Sequence, residues 1–164
     1  MSGNIFSQEG KNYYEKKLSE LAIRARESGT AVGEAAGDNC DWHDNFDYEQ
    51  ATRDFEMDSR RVGELREALA NAEIIIIQEQ TRRVAIGSTV EFEFADGKEK
   101  EITIGAWGES DPSQGLVSYT APLAQAVIGK EEGDEGHFKG QAINITKIHP
   151  ASYRYRALIA TVFS

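Results

Sequence analysis

A chain of 164 residues with 18 basic and 28 acidic side chains, formal net charge -10, is long enough for one ordinary domain or two small ones. The acidic excess excludes a surface built to wrap nucleic acid, because phosphate contacts need Lys or Arg. A single cysteine, Cys40, excludes an internal disulfide framework and a thiolate metal cage. The charge is also uneven: residues 1–79 carry nine basic and 17 acidic side chains and the remainder nine and 11, so the first half suits a partner with a positive or metal-rich pocket.

In chain order, Tyr14, Leu18, Leu21, Ala25, Ser28, Val32 and Ala35 recur in alternating steps of four and three. That spacing places one stripe along a helix, ready to face a partner. Tyr48, Ala51, Phe55, Val62, Leu65, Leu69, Ala72 and Ile76 keep the same period, with polar Asp58 at one seam position. Two such helices joined by a short break are predicted to pack antiparallel, as a coiled-coil hairpin over residues 1–79. The second helix alone would reach roughly 40 Å, long for a small globular core and suited to a protruding hairpin; an ordinary bundle is the plainer alternative. Gly29, Gly33 and Gly37 each cost about 1 kcal/mol against Ala inside a helix, so the distal turns of the first helix are expected to be mobile.

The break carries an acidic tip over residues 38–47. Asp41 and Asp44 are three apart, so a helical turn or a tight loop can point both carboxylates the same way. Magnesium takes oxygen ligands, often from only one or two protein carboxylates, and such a pair forms an incomplete site that a partner and a phosphate would finish. The same residues admit a simpler role: Asp44 or Asn45 as the cap of the second helix, with Asp47 and Glu49 favourable in its first turn. Trp42 and Phe46 are costly to leave in water, so they either fold back over the helix ends or meet a partner. His43 is a possible proton carrier or simply polar surface.

From residue 84 the period changes to that of strands. Val90, Phe92 and Phe94 alternate with Glu91 and Glu93, and Asp96-Gly97 signals a type I′ turn into a strand through Ile102 and Ile104. A further strand is predicted over 116–119, a short helix over 123–128 opened by Pro122 and stopped by Gly129, a turn at 133–136, a strand over 142–148 and a last strand over 158–163. The expectation is an α+β domain over 80–164, a small, mostly antiparallel sheet with one short helix, in which Leu123, Val127 and Ile128 are core and Lys130 is exposed.

The stretch Cys40-Asp41-Trp42-His43-Asp44-Asn45-Phe46-Asp47-Tyr48 resembles the tip motif of the bacterial Gre family of transcript-cleavage and elongation factors, Gly-Asp-x-Ser-Glu-Asn-Ala-(Glu or Asp)-Tyr. Ala25-Arg26-Glu27-Ser28-Gly29, Val84-Ala85-Ile86-Gly87-Ser88-Thr89-Val90 and the run Ser118-Tyr119-Thr120-Ala121-Pro122-Leu123-Ala124-Gln125-Ala126-Val127-Ile128-Gly129-Lys130 extend the resemblance in the family's order. It implies an FKBP-like second domain, bacterial RNA polymerase as partner and entry of the hairpin into the polymerase's secondary channel. It further implies stimulated cleavage of backtracked RNA, with Asp41 and Asp44 helping to hold a second Mg²⁺ shared with the polymerase. Trp42, His43, Asn45, Phe46, Asp47 and Tyr48 would be tip contacts. Arg53, Arg60 and Arg61 would steer RNA, or would pair with Asp54, Glu56, Asp58 and Glu64.

The departures, Cys40 for Gly, His43 for Ser, Asp44 for Glu and Phe46 for Ala, favour a second possibility: a regulator or inhibitor that uses the same channel without cleavage. Prolyl isomerisation by the second domain is the weakest reading, since fold does not carry function. The protein is expected not to be an enzyme alone and to act as a monomer in the cytoplasm. No apolar run approaches a membrane span, and residues 1–9 lack the layout of a signal peptide. The tail after His149 extends past the resemblance.

Overall fold

The computed structural model describes residues 3–37, 45–79 and 82–163. Its chain divides into two compact units, Met1–Asn4 with Lys11–Ala72, and Ile5–Gly10 with Glu73–Ser164.

Strand β1 (Asn4–Phe6) leads into helix α1 (Gln8–Gly37), and helix α2 (Asn45–Ala70) leads into strand β2 (Ala72–Ile74). At 1.5 Å per residue, α1 is about 45 Å long and α2 about 39 Å. The predicted stripe of α1 is the face that packs: Ala25 is buried, Tyr14, Leu18, Leu21, Ser28, Val32 and Ala35 are half-buried, and most of their neighbours are exposed. On α2 the covered residues are Asp58, Val62, Leu65 and Ala68. The pairing is antiparallel, since Ser28 meets Asp58 and Gly29 meets Phe55. α1 runs unbroken through its glycines, and Gly29 has a packing reason: a Cβ there would lie 3.1 Å from the Phe55 ring.

The helical period that the sequence carries as far as Ile76 ends earlier. α2 stops at Ala70, and Ile76 is 86% exposed. The backbone after Asn71 instead joins a two-stranded ladder with β1, a partner nearly seventy residues away that local periodicity cannot reveal.

The second unit holds β3 (Thr89–Phe94), β4 (Glu99–Gly105), β5 (Leu116–Ser118), α3 (Pro122–Val127), β6 (Glu135–Phe138), β7 (Gln141–His149) and α4 (Ala151–Val162). The strands form one sheet in the order β5-β4-β3-β7-β6. It is mixed, not wholly antiparallel: β5 runs parallel to β4, while the other neighbours are antiparallel. Strand alternation puts Val90, Phe92, Ile102, Ile104, Ile143 and Ile145 on one face, where Ala124 and Val127 of α3 complete the core. Val127 is fully buried, Leu123 and Ile128 pack at the margin, and Lys130 is half-buried where exposure was expected.

Three expectations are corrected. Residues 158–163 are not a strand: they belong to α4 and its C-terminal cap. Its buried Ala151, Tyr155, Leu158 and Ile159 fall at helical spacing and pack with Leu116 on the second face of the sheet. The β3–β4 connection is not a type I′ turn. Gly97 alone has positive φ (81°), Gly97 N–H donates to Phe94 C=O at 2.8 Å, and Phe94 N–H donates to Lys98 C=O at 2.9 Å. That is a three-residue loop, a turn followed by a left-handed glycine. Finally, Glu135 and Gly136 are not turn residues but open β6, the hairpin partner of β7; a Cβ on Gly136 would sit 2.4 Å from the Ala126 carbonyl oxygen, so glycine there serves a close approach.

Candidate functional site

Asp41 and Asp44, together with Trp42 and His43, lie outside the described residues, as does the side chain of Asn45, the first residue of α2. The structure therefore places the helix ends that flank the connection, Gly37 and Asn45, not the carboxylates. Just inside α2, Phe46 is 69% exposed, and Asp47 and Tyr48 are also exposed. Asp47 lines a cleft between the helices with Ser28, Ala31, Gln50, Ala51 and Asp54, of about 270 Å³. The hairpin thus presents acidic groups and an uncovered aromatic ring at its distal end.

The arginine flank is only partly committed to ion pairs. Arg53 Nη2 lies 3.8 Å from Glu49 one turn earlier, and Arg61 Nη1 lies 3.9 Å from Asp58. Arg53 and Glu49 are both more than half exposed, so that pair contributes little, within about 1 kcal/mol, whereas the Asp58 carboxylate is buried. Arg60 is exposed on the same helix.

Two polar clusters in the sheet unit were not anticipated. In the first, Glu109 is fully buried. Its Oε1 accepts from the Ser7 hydroxyl, and its Oε2 accepts from Ala106 N–H at 2.8 Å and Tyr155 O–H at 2.7 Å. Ser7 Oγ in turn accepts from Gly10 N–H at 2.9 Å, the capping bond of the first turn of α1. Burial first, then the negative charge of Glu109, pushes the Tyr155 phenol far above its usual range, so it stays a donor. No sequence signal marks Glu109, since its partners come from three separate stretches of chain.

In the second cluster, Glu91, Glu101 and His149 bring one ligand atom each to within 4.8 Å of one another. Glu91 and Glu101 are direct cross-strand partners, a repulsive placement by itself. Here the repulsion is offset inside the protein: His149 Nε2 pairs with Glu91, Arg154 of α4 pairs with Glu101, and the His149 ring stacks on Tyr153 at 4.3 Å. The donor set suits a cation, yet both carboxylates are already engaged, Glu91 by His149 and Glu101 by Arg154 of α4.

The Mg²⁺ that the resemblance implies takes hard oxygen donors, a chemistry that Asp41 and Asp44 would fit as two carboxylates too few to saturate it. Among the described residues no helix is long and apolar enough to cross a membrane.

A long antiparallel helix pair, followed in the chain by a curled mixed sheet, defines a two-unit fold class, and family models match both units. Residues 4–74 match "Transcription elongation factor, N-terminal" and residues 79–150 match "Transcription elongation factor, GreA/GreB, C-term". The chain belongs to the bacterial GreA/GreB family of transcription elongation factors. Transcription elongation factor GreA of Nautilia profundicola is 38% identical over 122 residues, covering 73% of this chain and 75% of that protein. GreA of Mycoplasma genitalium is 30% identical over 139 residues, covering 82% and 86%. Among solved structures, GreA factor homolog 1 of Thermus thermophilus aligns over 90% of this chain and 99% of its own, at 20% identity and a TM-score of 0.45. Family members modulate RNA polymerase and are not enzymes in their own right. Helix α4 lies beyond the matched residues.

Proposed function

We propose that this chain binds bacterial RNA polymerase, reaches through its secondary channel with the hairpin and stimulates hydrolysis of backtracked RNA. The observation that carries the reading is the family match over both units, combined with retention of acidic residues at both positions of the tip motif, Asp41 and Asp44. A Mg²⁺ held jointly with the polymerase would supply charge neutralisation and an activated water for in-line attack on the phosphodiester. Asp41 and Asp44 offer two carboxylate oxygens toward that ion. α1 and α2, about 45 and 39 Å long, would hold them at the end of a long helix pair. Phe46 and Tyr48 pack the tip against the channel wall, and Arg53, Arg60 and Arg61 draw the displaced RNA along the hairpin. The sheet unit, read as FKBP-like, docks outside the channel. We take residues 1–79 and 80–164 as the working domains, and the protein as a cytoplasmic monomer.

The test is a stalled, backtracked elongation complex with Mg²⁺. Added protein should release 3′ RNA fragments faster than the polymerase does alone, while the protein by itself cleaves nothing. Fragments at the polymerase's own rate would rule the reading out. A second reading, occupancy of the channel without cleavage, is favoured by one feature: Phe46, 69% exposed, stands where the family motif has Ala, and Asp44 is one methylene shorter than the family's Glu. It predicts suppression of a cleavage-active factor with no fragments of its own.

A further inference from the structure

Asp58 is the odd residue of the hairpin seam. It is a carboxylate 1% exposed, in the same stripe as buried Val62 and Leu65. Its Oδ2 receives Arg24 Nε at 3.0 Å and lies 3.2 Å from the Ser28 hydroxyl, both from α1. Ser28 has one proton for two acceptors, since the Arg24 carbonyl is 3.0 Å away, so Arg24 is the stronger partner. The other oxygen, Oδ1, is buried and accepts no hydrogen bond from the described residues; Arg61 Nη1 stands 3.9 Å from it.

Such a group is a poor way to stabilise a helix pair, because a buried carboxylate sacrifices hydration that an apolar residue never had. It discriminates well between alignments. In the α1 seam from Leu18 to Ala35, Ser28 alone carries a hydrogen-bond donor. Sliding α1 by one seam step would face Asp58 with Ala25 or Val32, and sliding by a heptad would face it with Leu21 or Ala35. Apolar seam residues, by contrast, accept one another in several registers, and a single polar seam residue is a known means of selecting one.

We propose that Asp58, through Arg24 and Ser28, locks the register of α1 against α2 and is thereby a positioning residue for the acidic tip. A slip of one seam step displaces one helix along the other by about 5 Å, well beyond the ~1 Å misplacement that costs a catalytic arrangement its rate. The effect on cleavage rests on the function proposed above; the register itself does not.

The experiment uses the full chain with Cys40→Ser and spin labels at Ser19→Cys and Gln50→Cys, exposed sites offset along the hairpin, so that a slip changes their separation. Asp58→Leu should keep or raise the melting temperature, broaden or split the distance distribution by a few ångströms, and lower RNA cleavage by at least about fivefold at equal polymerase occupancy. Asp58→Asn, which still accepts from Arg24, should keep one distance and most of the cleavage. Arg24→Met combined with Ser28→Ala strips the partners and should broaden the distribution as Asp58→Leu does. A single unshifted distance in both Asp58→Leu and the double variant would overturn the lock. If Asp58→Leu fails to fold, the double variant decides alone. If the parent protein stimulates no cleavage, the proposed function fails while the distances still judge the lock.

Discussion

The two units solve burial in opposite ways. In the sheet unit, buried apolar side chains from β3, β4, β7 and α3 close over one another, and the deeply placed polar groups are paired: Thr89 with Thr103 at 2.8 Å, and Glu109 with Ser7, Ala106 and Tyr155. In the hairpin unit, two helices share a narrow stripe, apolar burial among the described residues is confined to Ala25, Val62, Leu65 and Ala68, and the buried carboxylate Asp58 is only half satisfied. A sheet fills a volume, so its residues are held by many neighbours at once. A helix pair fills a line, and alignment along that line becomes the property at risk.

Truncations should separate the units most sharply. Phe92→Ala empties a fully buried site between β4 and β7 and should destabilise the sheet unit by about 3–5 kcal/mol, whereas Leu65→Ala, at the edge of a two-helix seam, should cost about 2 kcal/mol. Denaturant unfolding followed by Trp107 fluorescence in a Trp42→Phe background, against helix circular dichroism, reads the two separately. Equal losses on both probes for both variants would erase the contrast.

Tyr155→Phe asks whether buried polar pairing matters in the sheet unit. It removes one of two donors to Glu109 Oε2 and should cost about 1–3 kcal/mol. The same substitution has a signature in pH. The Tyr155 phenol ionises higher in the folded protein than its unfolded value of about 10, so its contribution is complete below pH 10 and declines as pH rises above it. Stability should therefore fall more steeply above pH 10 in the parent than in Tyr155→Phe. Identical slopes would mean that the phenol is not held protonated by folding.

The smallest effect differs between two glycines of one helix. Gly33 has nothing within 4 Å of an added Cβ, so Gly33→Ala should stabilise α1 by up to about 1 kcal/mol. Gly29→Ala meets the Phe55 ring at 3.1 Å and should lose that gain. Thermal melts of the two variants side by side would show whether the hairpin is tightly packed at that point.

Legibility in the sequence follows the range of the interactions. Both helices, the α1 seam and Asp58, Val62 and Leu65 of the α2 seam could be read from a local period, as could β3, β4, β5, β7 and α3, whereas Tyr48 and Phe55, expected in the α2 seam, are exposed. What failed depended on distant partners. β1 and β2 pair although the whole hairpin separates them in sequence, and β5, legible as a strand, gives no local sign that its neighbour β4 runs parallel to it. α4 differs from the expected strand because Leu158, Ile159, Val162 and Phe163 resemble a strand when taken without Ala151 and Tyr155, the earlier turns of the same buried stripe. Glu109, Ser7 and Tyr155 meet only in the fold. The tip is the converse case: the Asp41 and Asp44 proposal comes from residue type, spacing and family resemblance, and the structure supplies the flanking Phe46, Asp47 and Tyr48.

The most direct measurement is RNA cleavage by backtracked polymerase with Asp41→Asn and Asp44→Asn, each shown to be folded and bound. These changes keep side-chain shape and remove the charges proposed to face Mg²⁺. Each should slow cleavage at least about tenfold, equivalent to about 1.4 kcal/mol of transition-state stabilisation, with polymerase binding retained. Cleavage at the parent rate by both variants would contradict the proposed function.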